Sequence, residues 1–247
     1  MNASSCRIVA GGNGQGNDVH QLHAPEDVIL DQEKNCFIIA DGENRRVMQW
    51  FRGTTEQGRV VISDIDCSAL ALHKDGSLYV CDWKKNEVKR WRKGETNGMV
   101  VAGGNGKGTR LNQLDNPRSI FINDDDHALY ICDMKNHRVV KWANNAKEGV
   151  IVAGGNGEGD RSTQLSCPSG VTVDSFGQIY VADKGNDRVV RWCEGAKEGM
   201  IVVGGNGRGE RANQLRCPAS LAFDKERNLY VAEFGNHRIQ KFVIEEN

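Results

Sequence analysis

The stretch Tyr180-Val-Ala-Asp183-Lys-Gly-Asn186-Asp-Arg188-Val-Val-Arg-Trp192 occurs in this chain as five related copies. An aromatic residue closes each copy, at Trp50, Trp91, Trp142, Trp192 and Phe242. The copies therefore follow one another at intervals of about 41 to 51 residues. Self-similarity at such a period indicates a repeat architecture, in which each unit needs its neighbours to complete a core.

Each repeat contains four short apolar runs separated by Gly, Asp or Asn turns. In the fourth repeat they are Pro168-Ser-Gly-Val-Thr-Val, Ile179-Tyr-Val-Ala, Arg188-Val-Val-Arg-Trp and a valine-rich run that ends at Gly204. Runs of this length, with turn residues between them, are typical of β-strands, and no stretch indicates a long helix. Four strands repeated every 40 to 50 residues are the pattern of a β-propeller blade. We therefore predict an all-β, five-bladed β-propeller of four-stranded antiparallel blades.

The two ends of the chain complement each other in sequence. The fifth repeat stops after Phe242-Val-Ile and lacks a fourth run, whereas the chain begins with Arg7-Ile-Val-Ala-Gly-Gly12, which matches Ile151-Val-Ala-Gly-Gly155. This match predicts that the N-terminal strand completes the last blade and closes the ring. A single domain is expected over residues 7–244, with short tails at 1–6 and 245–247.

The repeated loop between the second and third runs resembles that of the NHL-repeat family. The resemblance rests on Asp133-Met-Lys-Asn136-His137-Arg138-Val-Val-Lys-Trp142 and on the sets Asp183…Asn186…Arg188, Asp41…Asn44…Arg46 and Glu233…Asn236-His237-Arg238. The second repeat departs from it, with Lys85 in place of Asn and Glu87 in place of Arg. Propellers of this family usually have six blades, so six blades is the alternative. The resemblance implies one of three functions: binding of protein partners, binding of single-stranded RNA, or a metal-dependent amidating lyase.

The residues that recur in most repeats have a structural interpretation. An acid and an arginine five residues later recur together, which predicts an ion pair that shapes each loop, because a catalytic group is usually needed only once. Glycine-rich loops begin at Gly11, Gly103, Gly154 and Gly204, and no helix follows them as a dinucleotide site would require. We expect these glycines to adopt positive φ in turns between blades. A Gln-Leu pair after each loop is expected to place its leucine beneath the loop.

The composition of the chain narrows the classes of molecule and cellular location that are expected for it. The chain has 33 acidic and 32 basic residues, so no overall basic field attracts nucleic acid. No apolar run approaches the roughly 20 residues of a membrane-spanning helix, and Met1–Cys6 does not resemble a signal peptide. The 8 cysteines show no paired zinc-binding spacing, and several occupy equivalent repeat positions. We therefore expect free thiols, a cytoplasmic location and a soluble monomer.

The histidines offer one possible metal site. His20, His23 and His237 are expected near the seam between the first and last blades, and three imidazoles suit zinc. No arrangement of acids supports such a site, so solvated loop histidines are favoured, with no metal, cofactor or catalytic residue. His73 and His127 fall in turns on the opposite face and are expected to be ordinary surface residues.

Side-chain variety is concentrated beside the repeated loop acids. Trp83, Met134 and Phe234 are large and apolar, and basic residues accompany them. Such a combination on one face indicates a partner-binding surface. The predicted partner-binding residues are Arg45, Trp83, Lys84, Met134, His137, Lys184, Phe234 and His237. The sequence favours a non-enzymatic scaffold that recognises a protein or peptide, with a metal-dependent lyase or hydrolase and a single-stranded RNA-binding domain as alternatives.

Overall fold

A computed structural model describes residues 7–53 and 58–244, and these form an all-β five-bladed propeller. Blade 1 contains β1 (Pro25–Asp31), β2 (Cys36–Asp41), β3 (Arg46–Phe51) and β4 (Arg59–Ser63), and blade 2 contains β5 (Cys67–Leu72), β6 (Leu78–Asp82), β7 (Glu87–Trp91) and β8 (Met99–Gly103). Blade 3 contains β9 (Pro117–Ile122), β10 (Leu129–Asp133), β11 (Arg138–Trp142) and β12 (Val150–Gly154), and blade 4 contains β13 (Pro168–Val173), β14 (Ile179–Asp183), β15 (Arg188–Trp192) and β16 (Met200–Gly204). Blade 5 contains β17 (Pro218–Phe223), β18 (Asn228–Glu233) and β19 (Arg238–Val243). Blades 1 to 4 have four strands each, and all pairings are antiparallel between sequence neighbours. The predicted fold and blade count are confirmed.

The local pattern of the repeats sets the strand register. In blade 4, Asp183 lies opposite Arg188 and Ile179 lies opposite Trp192, so the repeated acid and arginine meet at one end of the β14–β15 hairpin. Short 3-10 turns fill this end in blades 1, 3 and 4, at Gly42–Asn44, Met134–Asn136 and Lys184–Asn186. No described residue belongs to a helix long and apolar enough to cross a membrane.

The core lies between blades. Val189 and Tyr180 of blade 4 are fully buried, and they pack in one cluster with Leu221 and Leu229 of blade 5. Three of the four leucines of the Gln-Leu pairs, Leu114, Leu165 and Leu215, belong to the same kind of interface and are each completely buried, whereas Leu22 is half-buried. Because apolar burial is the main stabilising term in folding, each blade depends on the next one for its core.

The described ring is open between blade 5 and blade 1. The inner strands β1, β5, β9, β13 and β17 pack against one another in that order, but β17 and β1 do not pack in the same way. Ile239 of β19 is 70% exposed, whereas Val189 at the equivalent position of blade 4 is 0% exposed. On the other side of the seam Val28 is 57% exposed, whereas Leu70 at the equivalent position of blade 2 is 3% exposed.

The predicted closing strand is therefore wrong for the described residues. Residues 7–12 form no strand, and β19 pairs only with β18, so blade 5 has three strands. The N-terminal segment belongs to blade 1, where Ala10 packs against Met48 and Trp50. The loop that follows is tied to the same blade, because Arg46 donates hydrogen bonds to the carbonyl oxygens of Asn17 and Asp18 at 2.6 and 2.9 Å. Since blades 1 and 5 are apart, this segment does not reach β19.

Candidate functional site

The repeated acid and arginine join each loop to its blade. Asp183 is completely buried, and its Oδ2 accepts hydrogen bonds from Arg188 Nε and Asn186 Nδ2, both at 2.7 Å. Its Oδ1 accepts from the Ser166 amide, also at 2.7 Å. Arg188 donates in addition to the carbonyl of Asp160 in the preceding glycine loop. Equivalent contacts occur in blades 1 and 3, which supports the structural interpretation of these residues.

The loop of blade 2 lacks this arrangement of hydrogen bonds, because its sequence has no asparagine or arginine at the equivalent positions. Lys85 donates only its backbone N–H to Asp82 Oδ1, at 3.0 Å. Asp82 Oδ2 is buried without a hydrogen-bond partner, and Lys85 Nζ lies 3.7 Å away. Glu87, in the place of the arginine, approaches Lys89 Nζ at 3.3 Å instead. Burial raises the pKa of Asp82, since desolvation penalises its charged form.

A cavity of about 330 Å³ opens at the centre of the propeller, at the end of the inner strands where the repeated loops lie. The inner strands of all five blades contribute to its wall. From these strands the lining side chains include Glu26, Asp27, Ser68, Arg118, Ser169 and Ser220. The loops add Met134, Lys184 and Phe234 at the rim. The cavity is therefore lined by unlike residues, although the blades that form it are near-copies.

The rim combines exposed apolar groups with cations. Phe234 is 71% exposed, and Lys184 Nζ lies 5.6 Å from the centroid of its ring. The Arg118 guanidinium lies 5.0 Å from the centroid of the Trp83 ring, and its Nη1 lies 3.8 Å from Glu26 Oε1. Cations over aromatic faces are attracted by the ring quadrupole. The structure thus brings three predicted residues, Met134, Lys184 and Phe234, to one cavity mouth, and a fourth, Trp83, stacks on the lining residue Arg118.

The other four predicted residues do not line this cavity. Arg45 Nε lies 3.2 Å from Asp66 Oδ1, and Lys84 Nζ lies 4.0 Å from the same oxygen. His137 Nδ1 accepts a hydrogen bond from the Cys167 amide at 3.1 Å. Asp66 immediately precedes β5, the inner strand of blade 2, and Cys167 immediately precedes β13, the inner strand of blade 4. His237, the equivalent of His137 in blade 5, is exposed at the open seam.

Sequence reasoning missed the inner-strand residues of the cavity. Glu26 and Arg118 occupy the position after the strand-opening proline, where the other repeats have Ser68, Ser169 and Ala219. This variation between repeats is the sequence signal that could have identified Glu26 and Arg118 as candidate site residues. Asp27 follows Glu26, and its carboxylate accepts hydrogen bonds from the Leu70 and Val28 amides, both at 2.8 Å. Burial raises the pKa of Asp27, and these two hydrogen bonds oppose the rise only in part.

A model of a known repeat family matches two of the five repeats. The model described as NHL repeat matches residues 165–192 and 215–242, which are the fourth and fifth copies of the repeated stretch. The fourth and fifth repeats of this propeller are therefore NHL repeats. A search of curated proteins returned no significant match to it.

Solved structures share the fold of this propeller at low sequence identity. An auxiliary nutrient binding protein from Bacteroides thetaiotaomicron matches with a TM-score of 0.72 at 15% identity, over 92% of this chain and 61% of that one. One from Bacteroides ovatus has a TM-score of 0.67 at 16% identity, over 94% and 61%. A gluconolactonase from Xanthomonas campestris has a TM-score of 0.63 at 12% identity, over 89% and 75%. The chain spans about three fifths of the length of the nutrient binding proteins, and identities this low show the fold alone.

The histidines expected at the seam of the propeller do not form a cluster with acids. His23 Nε2 contacts Gln15 Nε2 at 2.7 Å, and the His20 carbonyl accepts a hydrogen bond from Asn13. Within residues 7–53 and 58–244, two groups of three side chains could hold a metal ion. Neither group includes His20, His23 or His237, and neither lines the central cavity.

Proposed function

We propose that this propeller is a non-enzymatic binding module that recognises a protein or peptide partner at the mouth of its central cavity. The observation that carries the proposal is the convergence of Met134, Lys184 and Phe234 around a cavity that also presents Arg118 and Glu26. Exposed aromatic and apolar side chains with arginine beside them are the composition of binding hot spots. A peptide that inserts an apolar side chain and places a carboxylate near Lys184 would match this rim.

The two alternatives have less support from the described residues. A metal-dependent lyase or hydrolase needs a ligand set at its reaction centre, and the three-residue groups found lie outside the cavity. Single-stranded RNA binding needs a basic groove with several stacking aromatics. At this mouth two cations, Arg118 and Lys184, are accompanied by the carboxylates of Glu26 and Asp27.

We also infer a monomeric protein of a reducing compartment such as the cytoplasm. All five blades of one chain contribute to the one cavity, which supports a site complete in a monomer. The seven cysteines of the described part are free. Burial raises the pKa of Cys67 to about 12, and burial likewise raises the pKa of Cys81, so these thiols stay protonated and unreactive.

A peptide-library experiment tests the binding function. Panning random peptides on the wild-type protein is expected to enrich a motif with an apolar anchor. The triple variant Trp83→Ser, Met134→Ser and Phe234→Ser is expected to lose that enrichment by at least about tenfold, the loss of a hot spot worth about 1.4 kcal/mol or more. Phe176→Ser is the matched control, because Phe176 is an exposed aromatic in the β13–β14 turn, at the opposite end of the strands.

Circular dichroism and thermal melting would verify that both variants are folded. Enrichment that is equal on the triple variant, or absent on the wild type, would contradict the proposal. Affinity for oligouridylate at low salt, lost in the triple variant, would assign the same surface to RNA instead.

A further inference from the structure

Two histidines from adjacent blades meet on the face opposite the central cavity mouth. His73 lies in the β5–β6 turn of blade 2, and His127 lies in the β9–β10 turn of blade 3. Their rings are 3.8 Å apart between centroids and are tilted by 30°. Both were expected to be ordinary surface residues, whereas the packing of blade 2 on blade 3 places their two turns side by side. His73 is buried, with 1% of its side chain exposed.

His73 faces a carboxylate oxygen of Asp75 with its Nδ1 atom. Its Nε2 lies 3.2 Å from the Asp124 carbonyl oxygen, which can only accept, so Nε2 carries the proton. Its Nδ1 therefore carries a single lone pair, and the Asp75 amide lies 3.2 Å from it, in a long hydrogen bond that a metal ion on Nδ1 would replace. Asp75 Oδ1 lies only 2.9 Å from the same Nδ1. Two acceptors at this distance repel each other unless a cation or a proton lies between them.

A metal ion fits this arrangement. One ligand atom each from His73, Asp75 and His127 lies within 4.8 Å of the others. Zinc binds imidazole nitrogen and carboxylate oxygen at about 2.0–2.2 Å, and Asp75, with 48% of its side chain exposed, can adjust to that distance. A hydrogen bond from the second ring nitrogen to a carbonyl is the usual support for a histidine ligand, and His73 Nε2 makes one with Asp124.

We propose that His73, Asp75 and His127 bind a divalent transition-metal ion, with zinc the best match to two imidazoles and one carboxylate. The ion links the turns of two blades, and water completes its coordination from the exposed side of Asp75. The site is separate from the cavity mouth, and it stands whether or not the cavity binds a partner. Its physical effect is to stabilise the contact between blades 2 and 3, because an ion that binds only the folded state raises its stability.

Variants that preserve the backbone can test the site. His127 has a φ of 56°, a left-handed conformation that asparagine tolerates, so His127→Asn removes the imidazole with little strain. Asp75 Oδ1 accepts from the Ser77 amide at 2.8 Å, and the amide oxygen of Asp75→Asn can do the same. His237→Asn is the matched control, because His237 has a φ of 52° and belongs to neither candidate group.

The measurement is calorimetric titration of zinc chloride into chelator-treated full-length protein. One zinc per chain is expected for the wild type and for His237→Asn, with at least about a tenfold weaker Kd in His127→Asn and in Asp75→Asn. Zinc is expected to raise the melting temperature of the wild type and of the control, but not of the two site variants. Cobalt in place of zinc reports the ligand field through its visible absorption.

Three results would overturn the proposal. The first is no stoichiometric zinc binding by the wild type. The second is unchanged affinity in both site variants. The third is loss of the ion in His137→Asn alone, which would place it in the other candidate group, His137, Glu158 and Cys167.

Discussion

At the scale of single residues, Asp27 shows how the inner strands create a polar centre. Its carboxylate accepts one hydrogen bond from its own strand, at Val28, and one from the next blade, at Leu70. It also lies in the wall of the central cavity, next to Glu26. Burial raises its pKa above the ordinary value of 3.8, and the neighbouring Glu26 charge adds a smaller contribution in the same direction.

This raised pKa predicts a pH-dependent stability. The folded state holds the Asp27 proton more tightly than the unfolded state, so the contribution of Asp27 to stability is fully present below pH 3.8 and decreases as the pH rises through the folded pKa. Asp27→Asn removes this titration. Urea unfolding of the wild type and of Asp27→Asn between pH 3 and 7 is expected to show the wild type losing stability relative to the variant with increasing pH. A difference that stays constant, or that moves in favour of the wild type, would contradict the assignment.

Recurrence across the repeats predicted the structural role of the repeated acid, arginine and tryptophan. Trp142 and Trp192 are buried between blades, and Arg188 joins Asp183 to the glycine loop, as expected. Their equivalence in four or five repeats was the reason, since function seldom needs the same group in every blade. The contact between His73 and His127 was not predicted, because the two residues come from different blades and no local pattern reports the contact.

At the scale of the structural element, the loop between the second and third strands differs between blades 4 and 2. In blade 4 the carboxylate of Asp183 accepts three hydrogen bonds, and one of them is from a guanidinium. In blade 2 the carboxylate of Asp82 accepts one, from a backbone amide, and one oxygen remains without a partner. The same acid at the same repeat position therefore contributes differently to stability.

Alanine substitution should separate the two loops. Asp183→Ala leaves the buried Arg188 guanidinium without its carboxylate, so we expect a loss of about 3–5 kcal/mol of unfolding free energy. Asp82→Ala removes one backbone hydrogen bond together with a poorly satisfied buried carboxylate, so we expect a loss of about 1 kcal/mol. Urea unfolding monitored by tryptophan fluorescence gives both values. Equal losses would show that the arginine contributes nothing to the folded loop.

At the scale of the whole molecule, the open seam sets this propeller apart from a closed ring. Blade 5 presents Ile239 and blade 1 presents Val28 to solvent, although the equivalent residues elsewhere are buried between blades. The seam separates the two sequence segments that resemble one complete blade, residues 7–12 and strands β17 to β19. The glycine loop connected to residues 7–12 is bonded to Arg46 of blade 1, just as Arg188 of blade 4 is bonded to the loop that follows β12. Because blades 1 and 5 are apart, residues 7–12 stay with blade 1 and do not pair with β19.

Matched charge substitutions test whether the seam is open in solution. Val189→Asp buries a carboxylate in the interface between blades 4 and 5 and is expected to cost several kcal/mol or to prevent folding. Ile239→Asp places the same group at an exposed position and is expected to change stability by less than about 0.5 kcal/mol. Thermal and urea unfolding of the two variants provide the comparison. A large cost at Ile239 would show that blades 1 and 5 are packed together.

The candidate site was half predictable from the sequence. Trp83, Met134, Lys184 and Phe234 were selected because they differ between otherwise equivalent loops. Met134, Lys184 and Phe234 line the cavity, and Trp83 stacks on Arg118, which also lines it. The inner-strand residues Glu26 and Arg118 were not selected, although they also differ between repeats. Their approach across the cavity, from blades 1 and 3, depends on how far each blade rotates from the one before it, and sequence periodicity does not contain that angle.

The sequence by itself determined the strands, the four-stranded blade and the count of five, because alternation, turn residues and repeat period act over a few neighbouring residues. Only the tertiary structure decided the open seam, the central cavity and the pairing of His73 with His127. Each of these depends on the packing of one blade against another. That packing is set by many weak apolar contacts summed over whole blade faces, so it cannot be inferred from any single repeat.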